Sequence, residues 1–177
     1  MFVWVGIDVD SQYNEIKTVS KEIDEKLCFK HSCFTLPMHI SLKISFEIDE
    51  NQYESVEKTI LSVYENIKPF EIPVKRVENH GNICWIRMWD NASLNALSAQ
   101  INDILAEKHG IPLHEYDLDF QFHTSLFMDD DRGKVDAAYN QVKDVKLPEK
   151  LIANRFVIGT SESGRLGTYK VVLVVDK

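Results

Sequence analysis

Val3, Val5, Ile7 and Val9 alternate with their neighbours at the period of two that marks a half-buried strand. The segment "DSQYNEIKTVSKEIDEKL" then changes period, with Ile16, Val19, Ile23 and Leu27 at helical spacing and Asp10 or Ser11 placed to cap its start. A second strand pattern follows, with Met38, Ile40, Leu42, Ile44 and Phe46 on one face. Asp49 is placed to cap a helix whose stripe is Tyr53, Val56, Ile60, Val63 and Tyr64. Two strands, near Phe70–Val77 and Ile83–Trp89, are joined by "ENHGN", a short Gly-containing turn. The order then repeats. A capped helix carries Leu94, Leu97, Ile101, Ile104 and Leu105 and is stopped at Gly110. A strand is expected around Asp117–Met128, a shorter helix near Lys134–Val142, and a last hairpin from Leu151–Gly159 and Tyr169–Val175.

Each half thus reads strand, helix, strand, helix, strand, and no long linker divides them. One domain spanning residues 1–177, built of two similar intertwined lobes, is the expectation. The strands alternate apolar and polar positions rather than running continuously apolar. That pattern favours mainly antiparallel sheets with one covered face, an α+β architecture with helices packed outside.

Composition sharpens the picture in two places. The chain has 177 residues, 44% hydrophobic and 27% charged, as in an ordinary globular protein. Its 28 acidic and 20 basic residues leave a net charge of −8. With no Lys/Arg run, broad binding to a nucleic-acid backbone is not expected; a small nucleotide or a strand end remains compatible with a local cleft. The three cysteines, Cys28, Cys33 and Cys84, have no metal-like spacing and point to reduced thiols. "MFVWVGIDVD" is too short and too soon interrupted for a signal peptide or membrane span. A cytoplasmic monomer with no membrane contact is expected.

The chemistry lies on two strands. In "PMHISLKISF" the period of two places His39, Ser41, Lys43 and Ser45 on one face. In "FHTSLFM" it groups Gln121, His123, Ser125 and Phe127. Each strand then holds a histidine and a hydroxyl ~7 Å apart, from two steps of ~3.4 Å. A lone strand histidine is usually a satisfied structural residue. Two, at matching places in a repeated element order, form a set suited to phosphodiester cleavage. One imidazole near neutral pKa serves as base and the other as acid, while Ser41 and Ser125 donate to phosphate oxygens, with no cofactor or metal. His31, His80, His109 and His114 lack such pairing and read as structural. Trp4, Trp85, Phe127 and Tyr169 are candidates to line the cleft and stack a base, with core packing the alternative for each. Lys43 and Arg87 are candidates for phosphate support, against solvated strand-end charges. "MDDDRGK" has carboxylates but no Ca-loop spacing, and reads as a helix cap.

These motifs resemble the two-histidine (2H) phosphoesterase superfamily, which includes 2′-5′ RNA ligase-like proteins and cyclic phosphodiesterases. Its mark is a pair of His-x-Thr/Ser-x tetrads, here "HISL" (His39–Leu42) and "HTSL" (His123–Leu126). "CWIRMWDNASLNALSAQINDIL" resembles the family's Trp-bearing strand and following helix, and "FVIGTSESGRLGTYKVVLV" its closing hairpin. The resemblance implies a bilobal fold with a central cleft, catalysis by His39 and His123, and phosphate binding at Ser41 and Ser125. The implied substrate is a 2′,3′-cyclic phosphate or a 2′-5′-linked nucleotide or RNA end. Ser stands at both hydroxyl positions where Thr is common, and Phe122 where Pro often precedes the second His. A nucleotide- or RNA-end-binding module without turnover is the competing reading; two intact histidines favour the enzyme.

Overall fold

In the computed structural model, which describes residues 1–177, nine strands form two antiparallel sheets. The four-stranded sheet has the order β3-β1-β8-β9, from His39–Glu47, Phe2–Asp8, Arg155–Ser161 and Lys170–Asp176. The five-stranded sheet has the order β2-β6-β5-β4-β7, from His31–Ser32, His123–Met128, Ile83–Met88, Phe70–Asn79 and Lys150–Ala153. Helices α1 (Asn14–Leu27) and α4 (Arg132–Val142) pack together on the five-stranded side, where α4 covers β4, β5 and β6. Helices α2 (Tyr53–Asn66) and α3 (Ala92–His109) pair on the other side, where α3 meets β3. Tyr64 of α2 donates to Val157 O of β8 and packs on Phe156. The architecture is bilobal α+β, as the alternating strands imply.

Local signals act largely where the sequence puts them. The Asn91 side chain accepts from the amides of Ser93 and Leu94, Asp131 accepts from Gly133, and Gly110 ends α3 with φ 65°. Three expectations need correction. Asp10 and Ser11 do not cap α1; Asp10 accepts from the Met38 amide and pairs with Lys17, tying the helix start to the β3 strand. The segment Leu151–Gly159 is not one strand, because the chain leaves one sheet at Ala153 and enters the other at Arg155. The strand around Asp117 begins only at His123, since Glu115–Asp117 forms a 3-10 turn that turns the Asp117 carboxylate inward.

β-bulges decide which side chains reach the space between the lobes. Along β1 and β3, Gly6 pairs with Ser41, Val5 with Lys43 and Val3 with Phe46, so β3 carries extra residues against its partner. Val5 points into the core, and Lys43 opposite it does too; it does not share the face of His39 and Ser41. Likewise Trp85 pairs with Ser125 but Cys84 with Phe127, which sends Phe127 inward beside the buried Cys84.

Candidate active site

The first residues of β3 and β6 are the two motif histidines, and these strands approach each other across the lobes. His39, Ser41, His123 and Ser125 line one cleft of about 380 Å³. Both imidazoles are held in the same way. His39 Nδ1 lies 2.8 Å from Pro37 O, and His123 Nδ1 lies 2.6 Å from Gln121 O, in each case the carbonyl two residues back. A carbonyl only accepts, so Nδ1 carries the proton and donates, leaving Nε2 as the free basic nitrogen of each ring.

Each histidine also has an indole from the neighbouring strand. Trp4 meets His39 edge to face at 4.2 Å and 66°, while its Nε1 donates to Ser41 Oγ at 2.9 Å. With its acceptor side engaged, the Ser41 hydroxyl is set to donate onward. Trp85 stacks on His123 at 3.9 Å and 28°. His80 packs against Trp85 at 4.1 Å, and Glu78 holds His80 Nε2 at 3.2 Å. Trp85 therefore backs His123 instead of lining the cleft as a stacking platform. Tyr169 does line it, with Oη 2.5 Å from Ser45 Oγ.

Both imidazoles have pKa values below the ordinary 6.5, which corrects the expectation of near-neutral titration. For His39 burial is the main cause, opposed by the Pro37 carbonyl and Asp8. For His123 burial again leads and lowers the value to about 4; the Gln121 carbonyl opposes it, and His39, Arg87 and His80 add to the lowering.

Other candidates fall elsewhere. Lys43 is 1% exposed and donates to Asp117 Oδ2 at 2.8 Å, Asn102 Oδ1 at 2.7 Å and Pro112 O at 3.2 Å. All three ammonium protons are used inside the fold, so Lys43 is a buried structural cation and not a phosphate ligand. Phe127, 1% exposed, lies in the cleft floor with its ring against Phe29. Arg87 donates to Gln121 and lines a separate depression of about 560 Å³ with Asp90, Asp103 and Asp119, but with no histidine. Asp129 accepts from the amides of Asp131 and Lys30 and pairs with Lys134, as a cap and loop anchor. No cluster of three or more His, Cys, Asp and Glu side chains is arranged to hold a metal ion.

Sequence reasoning passed over one end of the cleft and read His31, which lies there, as structural. His31, Thr35, Leu36, Gly164, Leu166 and Gly167 line it. They come from a two-residue strand and from loops, where no periodicity marks a face.

The sequence matches the model of the 2′-5′ RNA ligase superfamily over residues 9–165. The chain belongs to that superfamily, within the two-histidine phosphoesterases. Among solved structures, this superfamily member is similar to Escherichia coli LigT complexed with 3′-AMP, at 13% identity and a TM-score of 0.58, covering 99% of this chain and 98% of LigT. It is similar to TT0787 of Thermus thermophilus, at 12% identity and a TM-score of 0.64, over 99% and 97% of the two chains. Usb1 of Kluyveromyces marxianus matches at 11% identity and a TM-score of 0.52, over 99% and 98%. No curated protein matches the sequence. No helix is long and apolar enough to cross a membrane.

Proposed function

We propose that this 2′-5′ RNA ligase superfamily member is a phosphodiesterase acting on a 2′,3′-cyclic phosphate, or on a 2′-5′-linked nucleotide or RNA end, by acid–base catalysis with His39 and His123. One observation carries the reading. Both Nδ1 atoms are tied to a backbone carbonyl, so both Nε2 atoms are left free in one cleft, each with a serine two residues along its strand.

The chemistry follows from those groups. One neutral Nε2 takes a proton from the attacking water or hydroxyl. The other imidazole, protonated, delivers a proton to the departing ester oxygen. Ser41, already accepting from Trp4, donates to a non-bridging phosphate oxygen, and Ser125 donates from the facing strand. The relatives' ligands agree in kind: E. coli LigT has been solved with 3′-AMP, with NADP+, with ATP and with phosphate. No step in this scheme calls on a metal.

The test is a screen of purified protein in EDTA against 2′,3′-cyclic mononucleotides, 2′-5′ dinucleotides and RNA ending in a cyclic phosphate, with products resolved. Opening of the ring or of the 2′-5′ bond supports the proposal. Stoichiometric binding without turnover of any of them would assign the cleft to recognition alone.

A further inference from the structure

The cleft holds a third imidazole that the catalytic scheme does not use. His31 of β2 stands opposite Met128 of β6, and Met128 stands opposite Ile83 of β5. Residues directly opposite one another share a sheet face, and past the bulge at Leu126 this row lies on the face of Ser125 and Trp85. Two residue steps along the strands and one strand across put the His31 backbone ~8 Å from that of Ser125, about the reach of one ribose. His31 Nδ1 is buried with no hydrogen-bond partner in the protein, whereas the Nδ1 atoms of His39 and His123 are each tied to a carbonyl. A buried ring nitrogen in that position is costly unless a bound group satisfies it. Thr35 Oγ1 accepts from the Ser32 amide at 3.3 Å, which leaves its hydroxyl proton free to donate. The loop after β8 reaches across from the other sheet to cover this end. Gly167, at φ 82°, comes so close that a Cβ there would stand 3.2 Å from Thr35 and 3.4 Å from His31 Nδ1. The same loop carries Arg165, exposed and paired with no carboxylate, between the lining residues Gly164 and Leu166. No carboxylate lines the cleft to oppose an anion.

We infer that His31, Thr35 and Arg165 form a second anion subsite, which holds a phosphate one nucleoside removed from the phosphodiester at His39 and His123. The inference rests on the phosphodiesterase reading above and deepens it. An imidazole N–H and a threonine hydroxyl donate to the phosphate oxygens, and the guanidinium at the mouth adds a charge-assisted partner. No backbone carbonyl fixes the tautomer of His31, so either ring nitrogen can carry the donated proton. Ile83 and Met128 stand in the same row and give the ribose between the two phosphates an apolar bed. In an RNA ending in a 2′,3′-cyclic phosphate, the 5′ oxygen of the last ribose carries the next phosphate. A mononucleotide with a free 5′-phosphate offers the subsite the same chemistry. With a net charge of −8, capture of that second phosphate depends on these local donors and not on the field of the whole protein.

The experiment measures kcat/KM for adenosine 2′,3′-cyclic phosphate, for its 5′-phosphorylated form, and for the adenosine dinucleotide ending in a 2′,3′-cyclic phosphate. The wild-type protein should favour the 5′-phosphorylated form over the bare compound by about tenfold, mainly through KM, as one hydrogen bond to a charged group implies. The dinucleotide separates the two sources: a similar gain assigns the subsite to the internal phosphate of an RNA end, and no gain assigns it to a terminal phosphate. His31→Leu should bring the ratio of the two mononucleotides near one. Arg165→Gln should lower that ratio and weaken its dependence on salt. Thr35→Val, which keeps the shape and removes the hydroxyl, should also lower it, and gives the reading if His31→Leu does not fold. A packing role alone would slow all three compounds alike in these variants and leave the ratio unchanged, which would overturn the inference. Equal or slower turnover of the 5′-phosphorylated form by the wild-type protein would also overturn it and leave the phosphodiesterase proposal standing. Turnover of none of the three would overturn both.

Discussion

The indole of Trp85 lies nearly flat on the imidazole of His123, 3.9 Å between centroids, with His80 packed against the same indole. The stack and the Gln121 carbonyl together fix the ring from its face and its edge, so that Nε2 has one direction to point. Trp85→Leu should leave the fold intact but lower kcat about tenfold, because small misplacements of a proton-transfer group are costly. Steady-state kinetics with a thermal melt on the same sample check this. Wild-type kcat in a folded Trp85→Leu variant would show that the stack has no positioning role.

The other histidine depends on two glycines. A Cβ at Gly159 would stand 2.7 Å from the Trp4 ring, and one at Gly6 equally close to both that ring and Ile40 O. The absence of side chains lets the Trp4 indole lie across β1 and β8 and reach Ser41. Gly159→Ala should displace it, at a stability cost of about 1–3 kcal/mol for overpacking and with a larger relative loss of kcat. Tryptophan fluorescence reports the displacement, and retained activity in a variant with shifted fluorescence would separate Trp4 from catalysis.

The side chains of Lys43 and Asp117 are 2% and 1% exposed, and Asp117 also accepts from the amides of Ile44 and His114. This pair fastens the segment before β6 to the β3 strand. Lys43→Met leaves a carboxylate buried without its cation and should cost about 3–5 kcal/mol in denaturant unfolding. A phosphate-binding lysine would behave in the opposite way, raising KM with little change in stability.

The pH profile follows from the two depressed histidines. The productive pair holds one proton, a state populated between its two macroscopic pKa values. Both imidazoles sit below 6.5 and His123 at about 4, so kcat/KM should peak on the acid side of 6.5. It should fall toward higher pH as the acid loses its proton, and at low pH once both rings are charged. A maximum above pH 7.5 would contradict this. Stability carries the same signature. Between about pH 6.5 and 4 the unfolded chain binds protons that native His123 refuses, so stability falls as pH falls through that window. His123→Gln should flatten the slope.

The sequence makes the paired tetrads and the antiparallel α+β plan readable because both rest on short periods that burial enforces. His39, Ser41, His123 and Ser125 all precede the bulges in their strands, so counting by two places them correctly. Lys43 and Phe127 lie beyond a bulge, where the count is off by one and the side chain turns inward. Nothing in "HISLKISF" announces the extra residue; it shows only in the pairing with β1. Trp85 is legible as an aromatic near the site but not as the support of His123, because that role depends on the β5–β6 register. His31 reads as structural because a two-residue strand has no period to pair it with the motif histidines, although it lines the same cleft.

The central claim is that both histidines transfer protons in one cleft, and turnover by His39→Ala, His123→Ala and the double variant tests it most directly. With a 2′,3′-cyclic nucleotide in EDTA, each single variant should lose ~10²-fold or more in kcat with a modest change in KM, since each removes one proton-transfer group. A folded double variant that turns the substrate over as fast as wild type would contradict the account and place the chemistry at another site.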